Sequence, residues 1–228
     1  MSVADDASAE RPAMMDPVTG LDERLGALVR FALAIAAGRE PLLVAGVANL
    51  MDSQVPALWV DELLLQSVLM VGYPRALVAA GIWRRESRCR APGTDASLKE
   101  SLEEWGRRGE LTCRTIYGGN YERLRENVRA LHPALDASMV TEGYGRVLSR
   151  PGLDLMRREL CTVAQIAWLD SPHQLHSHLR GALHAGADPA LVGEVLEAIS
   201  RDLSPEARRS AQAVWVQVRE RRESERGS

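Results

Sequence analysis

Two residues nineteen positions apart, Glu159 and His178, are the pair in this 228-residue sequence whose placement points to chemistry. Glu159 borders an apolar stripe formed by Leu153, Met156, Leu160, Val163, Ala164 and Ala167. His178 sits within the stripe that holds Leu175 and Ala182. Residues three and four apart share a helix face, so both ionisable groups are expected to point into one interior. Burial raises a carboxyl pKa and lowers that of an imidazole, and such a pair can exchange protons near neutral pH. Folding the two helices about Asp170–Ser171 sets His178 opposite Val163, which leaves a gap of roughly 6 Å along the axis. Direct contact, a bridging water and a neighbouring chain are all open at this point. The competing reading is architectural: a satisfied core histidine, and a glutamate paired with Arg158 or Arg180.

The remaining reactive residue types are less productive. His173, His176 and His184 crowd the helix of His178. However, His176 falls off its stripe, and no acidic residue stands at a metalloenzyme spacing, so no metal site is expected. Cys89, Cys113 and Cys161 are widely spaced without a Cys-x-x-Cys, which argues against a disulfide framework or a zinc site. Cys161 lies roughly 200° around its helix from Val163 and is expected to face away from His178, removing a Cys–His nucleophile pair.

Helical periodicity supplies the elements that must position these groups. Asp22 caps a helix carrying Leu25, Leu28, Phe31, Ala32 and Ile35, and Gly38 ends it. A second helix covers residues 40–51. A third starts after Pro56 and stops at Gly72-Tyr73-Pro74, with a further helix through Ile82. Helices follow around Leu98 to Trp105 and over 121–131. Pro151-Gly152 precedes a helix from Leu153 to about Leu169. Ser171-Pro172-His173-Gln174 reads as a capping box with proline in the first turn. Asp188-Pro189 and Ser204-Pro205 open the last two helices by the same chemistry. The expected divisions are a flexible tail over 1–20, a first repeat over 21–88, a linker with connecting helices over 89–125, a second repeat over 126–220, and a charged tail over 221–228. The repeat rests on aligning Leu21-Asp22 with Leu153-Asp154, and Pro56-Ala57-Leu58 with Pro189-Ala190-Leu191.

Composition bounds the partners. Hydrophobic residues make up 46%, which excludes disorder of the whole chain. A net charge of −3 without a basic face or a nucleic-acid motif argues against nucleic acid. No apolar run is expected to approach the ~20 residues that span a bilayer, the longest candidate, 25–37, being interrupted by Arg30. The N-terminus lacks the basic-then-apolar order of a signal peptide, so a cytoplasmic protein is expected.

The run Tyr144-Gly145-Arg146-Val147-Leu148-Ser149-Arg150-Pro151-Gly152-Leu153, then Arg158-Glu159-Leu160 with Thr162 and Ala164, then Gln174-Leu175 and His178-Leu179-Arg180, resembles the carboxymuconolactone decarboxylase family. That family belongs with the alkylhydroperoxidase D-like proteins. The likeness covers about 131–198. A weaker one, Glu62-Leu63-Leu64-Leu65-Gln66 with Gly72-Tyr73-Pro74-Arg75-Ala76, falls in the first repeat. The resemblance implies an all-α fold of two related helical repeats and ring-like homo-oligomers, a trimer or a hexamer. It also implies cofactor-free conversion of 4-carboxymuconolactone to an enol-lactone, or peroxidase chemistry through a Cys-x-x-Cys pair with a Glu and a His. In this sequence the two cysteines fall at Ser171 and Gln174, so the peroxidase lacks its thiolate. The decarboxylases place Ser where Glu159 stands and an acid where Gln174 stands, while His178 and Arg180 are kept. The first repeat offers Ala27 and Gly46 near the Glu and His positions and reads as a structural copy.

The resulting expectation is a cofactor-free lyase or isomerase acting on a small acidic lactone or keto acid. His178 would be general acid or base, Glu159 its proton relay, and Arg180, Arg158 and Gln174 the substrate contacts. The alternative is a non-catalytic oligomeric binding or scaffold protein. A residual redox role for Cys113 or Cys161 is a third reading. Neither metal, membrane nor nucleic acid is expected.

Overall fold

The computed structural model describes residues 20–227; the tail expected over 1–20 lies, Gly20 apart, outside the described residues. Among the described residues the chain is helical, with no strand, which confirms the all-α class.

Helix α1 spans Glu23–Ala37. The Asp22 carboxylate caps it by accepting from Leu25 N at 2.7 Å, and Gly38 closes it in the left-handed region at φ 66°. An alanine-rich sequence lets neighbours approach α1 from all sides, and its residues from Leu25 to Ala36 are buried apart from Arg30. Helix α2 (Glu40–Asp52) turns back from it. The span α3 (Ala57–Ser87) consists of two helices, as the sequence suggested. They meet at Gly72, whose φ of 72° and ψ of 169° are not helical, with Pro74 opening the second piece.

Helix α3 also corrects the expectation about apolar length. It holds an 18-residue window of mean hydropathy 1.5, long and apolar enough by composition to cross a membrane, of which 33% is buried in the bundle. Polar side chains tie it to the rest of the fold. Glu62, Gln66 and Ser67 are buried, and all three bond to residues of the C-terminal half.

Helix α4 (Leu102–Tyr117) begins with a capping box between Ser101 and Glu104, and α5 (Tyr121–Leu131) follows after a short 3-10 turn. The brief α6 (Pro133–Ser138) runs into a ten-residue π-helix, Met139–Leu148, which the sequence did not announce. Two glycines explain how it docks. A Cβ on Gly109 would lie 1.9 Å from the Val140 carbonyl oxygen, and one on Gly145 would lie 1.9 Å from that of Trp105, so α4 and the π-helix touch backbone to backbone.

Helix α7 (Leu155–Trp168) is capped by Asp154 as α1 is by Asp22, and the two helices pack together at the centre of the bundle. Helix α8 (Pro172–His184) has Pro172 in its first turn, but Ser171 does not cap it. Its backbone stands at φ −111° and ψ 80°, and its hydroxyl turns back to the Leu169 carbonyl. Asp188 caps α9 (Pro189–Ser200) and Ser204 caps α10. Helix α10 covers Pro205–Gly227, so the segment expected to be a charged tail is helical to residue 227.

The main core joins α1, α2, α3, α7, α8, α9 and α10. A separate small cluster, Cys113, Ile116, Tyr121, Tyr144 and Leu148, holds α4, α5 and the π-helix together. An ionic network links the two halves. Arg158, fully buried, donates to Glu62 Oε2 at 2.7 Å and to Gln66 Oε1 at 3.2 Å. Arg150 donates to Glu62 from the rim and to Asp95 at 2.7 Å.

Candidate functional site

Glu159 projects from the first half of α7 and His178 from the middle of α8. His178 Nδ1 lies 2.8 Å from Glu159 Oε2. Glu159 is fully buried and His178 is 5% exposed. A carboxylate only accepts, so Nδ1 carries the proton and donates it. No protein group bonds to Nε2 among the described residues, which leaves its lone pair free to act as a base. Direct contact is thus what the pair makes, in spite of the register offset. Gly181, one turn beyond His178, is the physical reason: a Cβ there would lie 2.5 Å from Glu159 Oε2. With only a hydrogen at that position, the carboxylate fills the space beside α8 and meets the imidazole.

Around the pair, α4 and the π-helix contribute two phenols. The Tyr144 hydroxyl donates to that of Tyr117 at 3.3 Å, with the rings edge to face. Burial pushes the Tyr117 phenol up to about 12 and Tyr144 well above its ordinary value, and the Glu159 charge adds to both. Glu159 Oε1 is buried without a hydrogen-bond partner in the protein. Burial raises the Cys113 thiol to about 12 and the Cys161 thiol further. Neither supplies a thiolate near neutrality, so the residual redox reading falls.

A cleft of about 450 Å³ opens between the end of α4, α5, α8 and α10. Arg180, His173, His176 and His184 line it from α8, Arg123 from α5 and Arg221 from α10. His184 Nδ1 donates to the Ile116 carbonyl at 2.5 Å, which fixes its ring. Burial, with Arg180, Arg221 and His173 beside it, holds the His176 imidazole below its ordinary value. Tyr117 and Ile116 line the cleft on the side toward Gly181 and Glu159.

The five sequence-derived site residues do not converge. Glu159 and His178 meet, and Arg180 opens on the cleft. Gln174 is exposed and lines neither the pair nor the cleft. Arg158 is removed from any substrate surface: its guanidinium is spent on Glu62, Gln66 and the Leu153 and Arg150 carbonyls. Its role is to neutralise Glu62 in the core. Sequence reasoning missed Tyr117, Arg123 and Arg221. The stripe of His173, His176, Arg180 and His184, spaced like one helix face, was the signal that could have found the cleft. Among the described residues no group of three His, Cys, Asp or Glu side chains is placed to hold a metal ion.

Residues 122–214 match the model of the Carboxymuconolactone decarboxylase family, a span that contains Glu159, His178 and five of the six basic cleft residues. Among curated proteins, Peroxisomal protein 2 of Schizosaccharomyces pombe is 25% identical over 178 residues, covering 76% of this chain and 84% of that protein.

Proposed function

We propose, from the match of residues 122–214 to the carboxymuconolactone decarboxylase family model, that the chain is a cofactor-free lyase or isomerase acting on a small acidic lactone or keto acid. The observation that carries this is the buried Glu159–His178 bond with Nε2 left open. Glu159 fixes the tautomer and stabilises the imidazolium that forms when Nε2 takes a proton from a carbon beside a carbonyl. In an isomerisation the same Nε2 returns the proton to the product; in a decarboxylation the bond to the carboxylate breaks, CO2 leaves, and the proton on Nε2 is delivered to the carbon left behind. No external base is consumed, and the low dielectric around Glu159 strengthens its hold on the charged ring.

Arg180 steers an anionic substrate toward α8. Two residues apart on one helix, the side chains of His178 and Arg180 diverge by roughly 200°, so Arg180 does not clamp the atom that reacts at Nε2. Tyr117 lines the cleft and also feels the Glu159 charge.

The test is an ultraviolet time course with 4-carboxymuconolactone, followed by other small lactone and keto acids, comparing the parent protein with His178→Gln. Loss of substrate with the parent alone supports the reading. Equal turnover by both proteins overturns it. One observation favours a second reading, a non-catalytic binding protein: neither Glu159 nor His178 lines the cleft. On that reading no acid is turned over and His178→Gln only weakens the fold.

A homo-oligomer, trimer or hexamer, is part of the proposal. It is supported by exposed Leu65, Leu69, Tyr73 and Leu77 along α3. Light scattering that gives the 25.0 kDa monomer mass would contradict it. A cytoplasmic location is likewise proposed. The peroxisomal name of the fission-yeast relative supports a different compartment, and imaging of a tagged chain decides between them.

A further inference from the structure

We propose that the cleft between α5, α8 and α10 is a binding site for a small organic polyanion of about three negative charges, held by Arg123, Arg180 and Arg221 and by the imidazoles of His173, His176 and His184. This goes beyond the acid–base pair and does not depend on turnover there.

The first argument is the charge of the lining. Elsewhere several half-buried guanidiniums are matched with carboxylates. Arg108 grips Glu100, Arg125 grips Asp136, and Arg150 grips Glu62 and Asp95. In the cleft Arg180 is half-buried, and Arg123 and Arg221 stand exposed at the rim. Arg123 and Arg180 pair with no carboxylate among the described residues, Arg221 shares Glu225 at 3.2 Å, and none of the described lining residues is acidic. Three fixed positive charges in one concavity repel one another, an arrangement that a bound anion offsets.

The second argument is shape and chemistry. A space of about 450 Å³ is that of a small-molecule site. Guanidiniums from three helices approach it from different sides, which suits several separated anionic groups better than a single carboxylate. Asn120, Asn127 and Ser177 add neutral hydrogen-bonding groups, and Ile116 and Leu124 give the carbon skeleton an apolar wall.

The histidines make binding proton-linked. His176 is faced by Arg180 and His173 on its own helix and by Arg221 from α10, with Arg123 across the cleft on α5 and the Tyr117 phenol, neutral in this range, from α4. Burial first, and then these cations, hold the free imidazole below its ordinary value, and a bound anion offsets the cations' part. The ring then gains a proton as the ligand enters, so affinity rises as pH falls.

The shared chemistry, several anionic oxygens on a small carbon frame, belongs to both polycarboxylates and phosphate esters. Titration calorimetry on the full chain separates them, with citrate as the carboxylate probe, inorganic pyrophosphate as the phosphate probe and acetate as the single-charge control. The expected result is binding of citrate, pyrophosphate or both, no measurable acetate binding, and a loss of about tenfold or more in affinity for each of Arg123→Gln and Arg180→Gln, about 1.4 kcal/mol apiece. Arg209→Gln, an exposed arginine paired with Glu206 away from the cleft, serves as the control that leaves affinity unchanged. Repeating the citrate titration in buffers of different ionisation enthalpy is expected to show net proton uptake. The proposal is overturned if neither trianion outbinds acetate, or if the Arg123→Gln/Arg180→Gln double variant binds as the parent does. Binding without proton uptake removes the histidines from it. Retention of binding by His178→Gln alongside loss of turnover would leave both this proposal and the acid–base reading standing. Turnover of a monocarboxylic acid without any trianion binding would leave only the latter.

Discussion

Gly181 stands on α8 where a side chain would collide with the Glu159 carboxylate: its Cβ would stand 2.5 Å from Oε2 and 2.8 Å from Ile116 Cγ2. The closeness of Glu159 to His178 is therefore bought by an absent methyl group. Gly181→Ala is expected to force α8 away from α7 and α4 at a cost of about 1–3 kcal/mol. It should also weaken any activity of the pair by more than that loss of stability explains. Urea denaturation beside a turnover assay checks both; an unchanged midpoint would show that α8 has slack that the geometry does not suggest.

Substituting the carboxylate itself separates orientation from stability. Glu159→Gln keeps the volume and an acceptor for Nδ1–H, but removes the charge that balances an imidazolium. Turnover is expected to drop by about 10²–10⁴, the range of general acid–base contributions, while the fold is retained. Steady-state kinetics together with a thermal melt decide it. A proportional loss of stability with full activity per folded molecule would make the pair architectural.

Arg158 and Arg180 are predicted to behave in opposite ways, although the sequence casts them alike. Arg158→Ala leaves Glu62, which is 3% exposed, to Arg150 alone and empties a fully buried site, and is expected to cost about 2–5 kcal/mol. Arg180→Ala removes a side chain that pairs with no carboxylate among the described residues, and is expected to leave the melting temperature within experimental scatter while weakening anion binding. Chemical denaturation of the two variants side by side is the measurement. Equal stabilities would sink the assignment of Arg158 to the core.

The thiols give a pH prediction. Cys113 is raised from 9.0 to about 12 by burial, and Cys161 is raised further, also by burial. A folded pKa above the unfolded one means stability is fully present below about 9 and is lost as pH rises toward 12, because the unfolded chain releases its thiol protons first. Alkylation of both thiols near neutral pH should accordingly proceed only as fast as the protein opens. Modification at the rate of a free thiol would refute their burial.

How much of this was legible in advance depends on the range of each interaction. The cap at Asp22, the left-handed Gly38 and the proline starts of α8 and α9 are local, and the sequence shows them directly. Glu159 and His178 could be set facing one interior because their stripes are short-range patterns too, but their direct contact stayed open, since it depends on the turn and on the space at Gly181. Arg158 could not be placed, because Glu62, its partner, lies 96 residues away and nothing local marks the match. Ser171 misled for the opposite reason: the motif is right, but the turn from α7 holds the residue away from a capping geometry. The cleft was invisible as a unit, since Arg123, Arg180 and Arg221 come from three helices and each alone reads as a surface charge. The π-helix escaped because nothing local marks it, and the close approach at Gly109 and Gly145 by which it docks on α4 is a contact between segments.

The Glu62–Arg158 contact also sets a lower limit on what can be cut from this chain. The family match begins at residue 122, well after Glu62, so a fragment of 122–214 alone would keep Arg158 in its interior and discard the carboxylate that neutralises it. Such a fragment would also bare the face of α7 that α1 covers. The N-terminal helices, which carry neither the glutamate nor the histidine of the site, are thus an internal scaffold inherited with it, and the smallest autonomous version of this protein reaches back at least to α1.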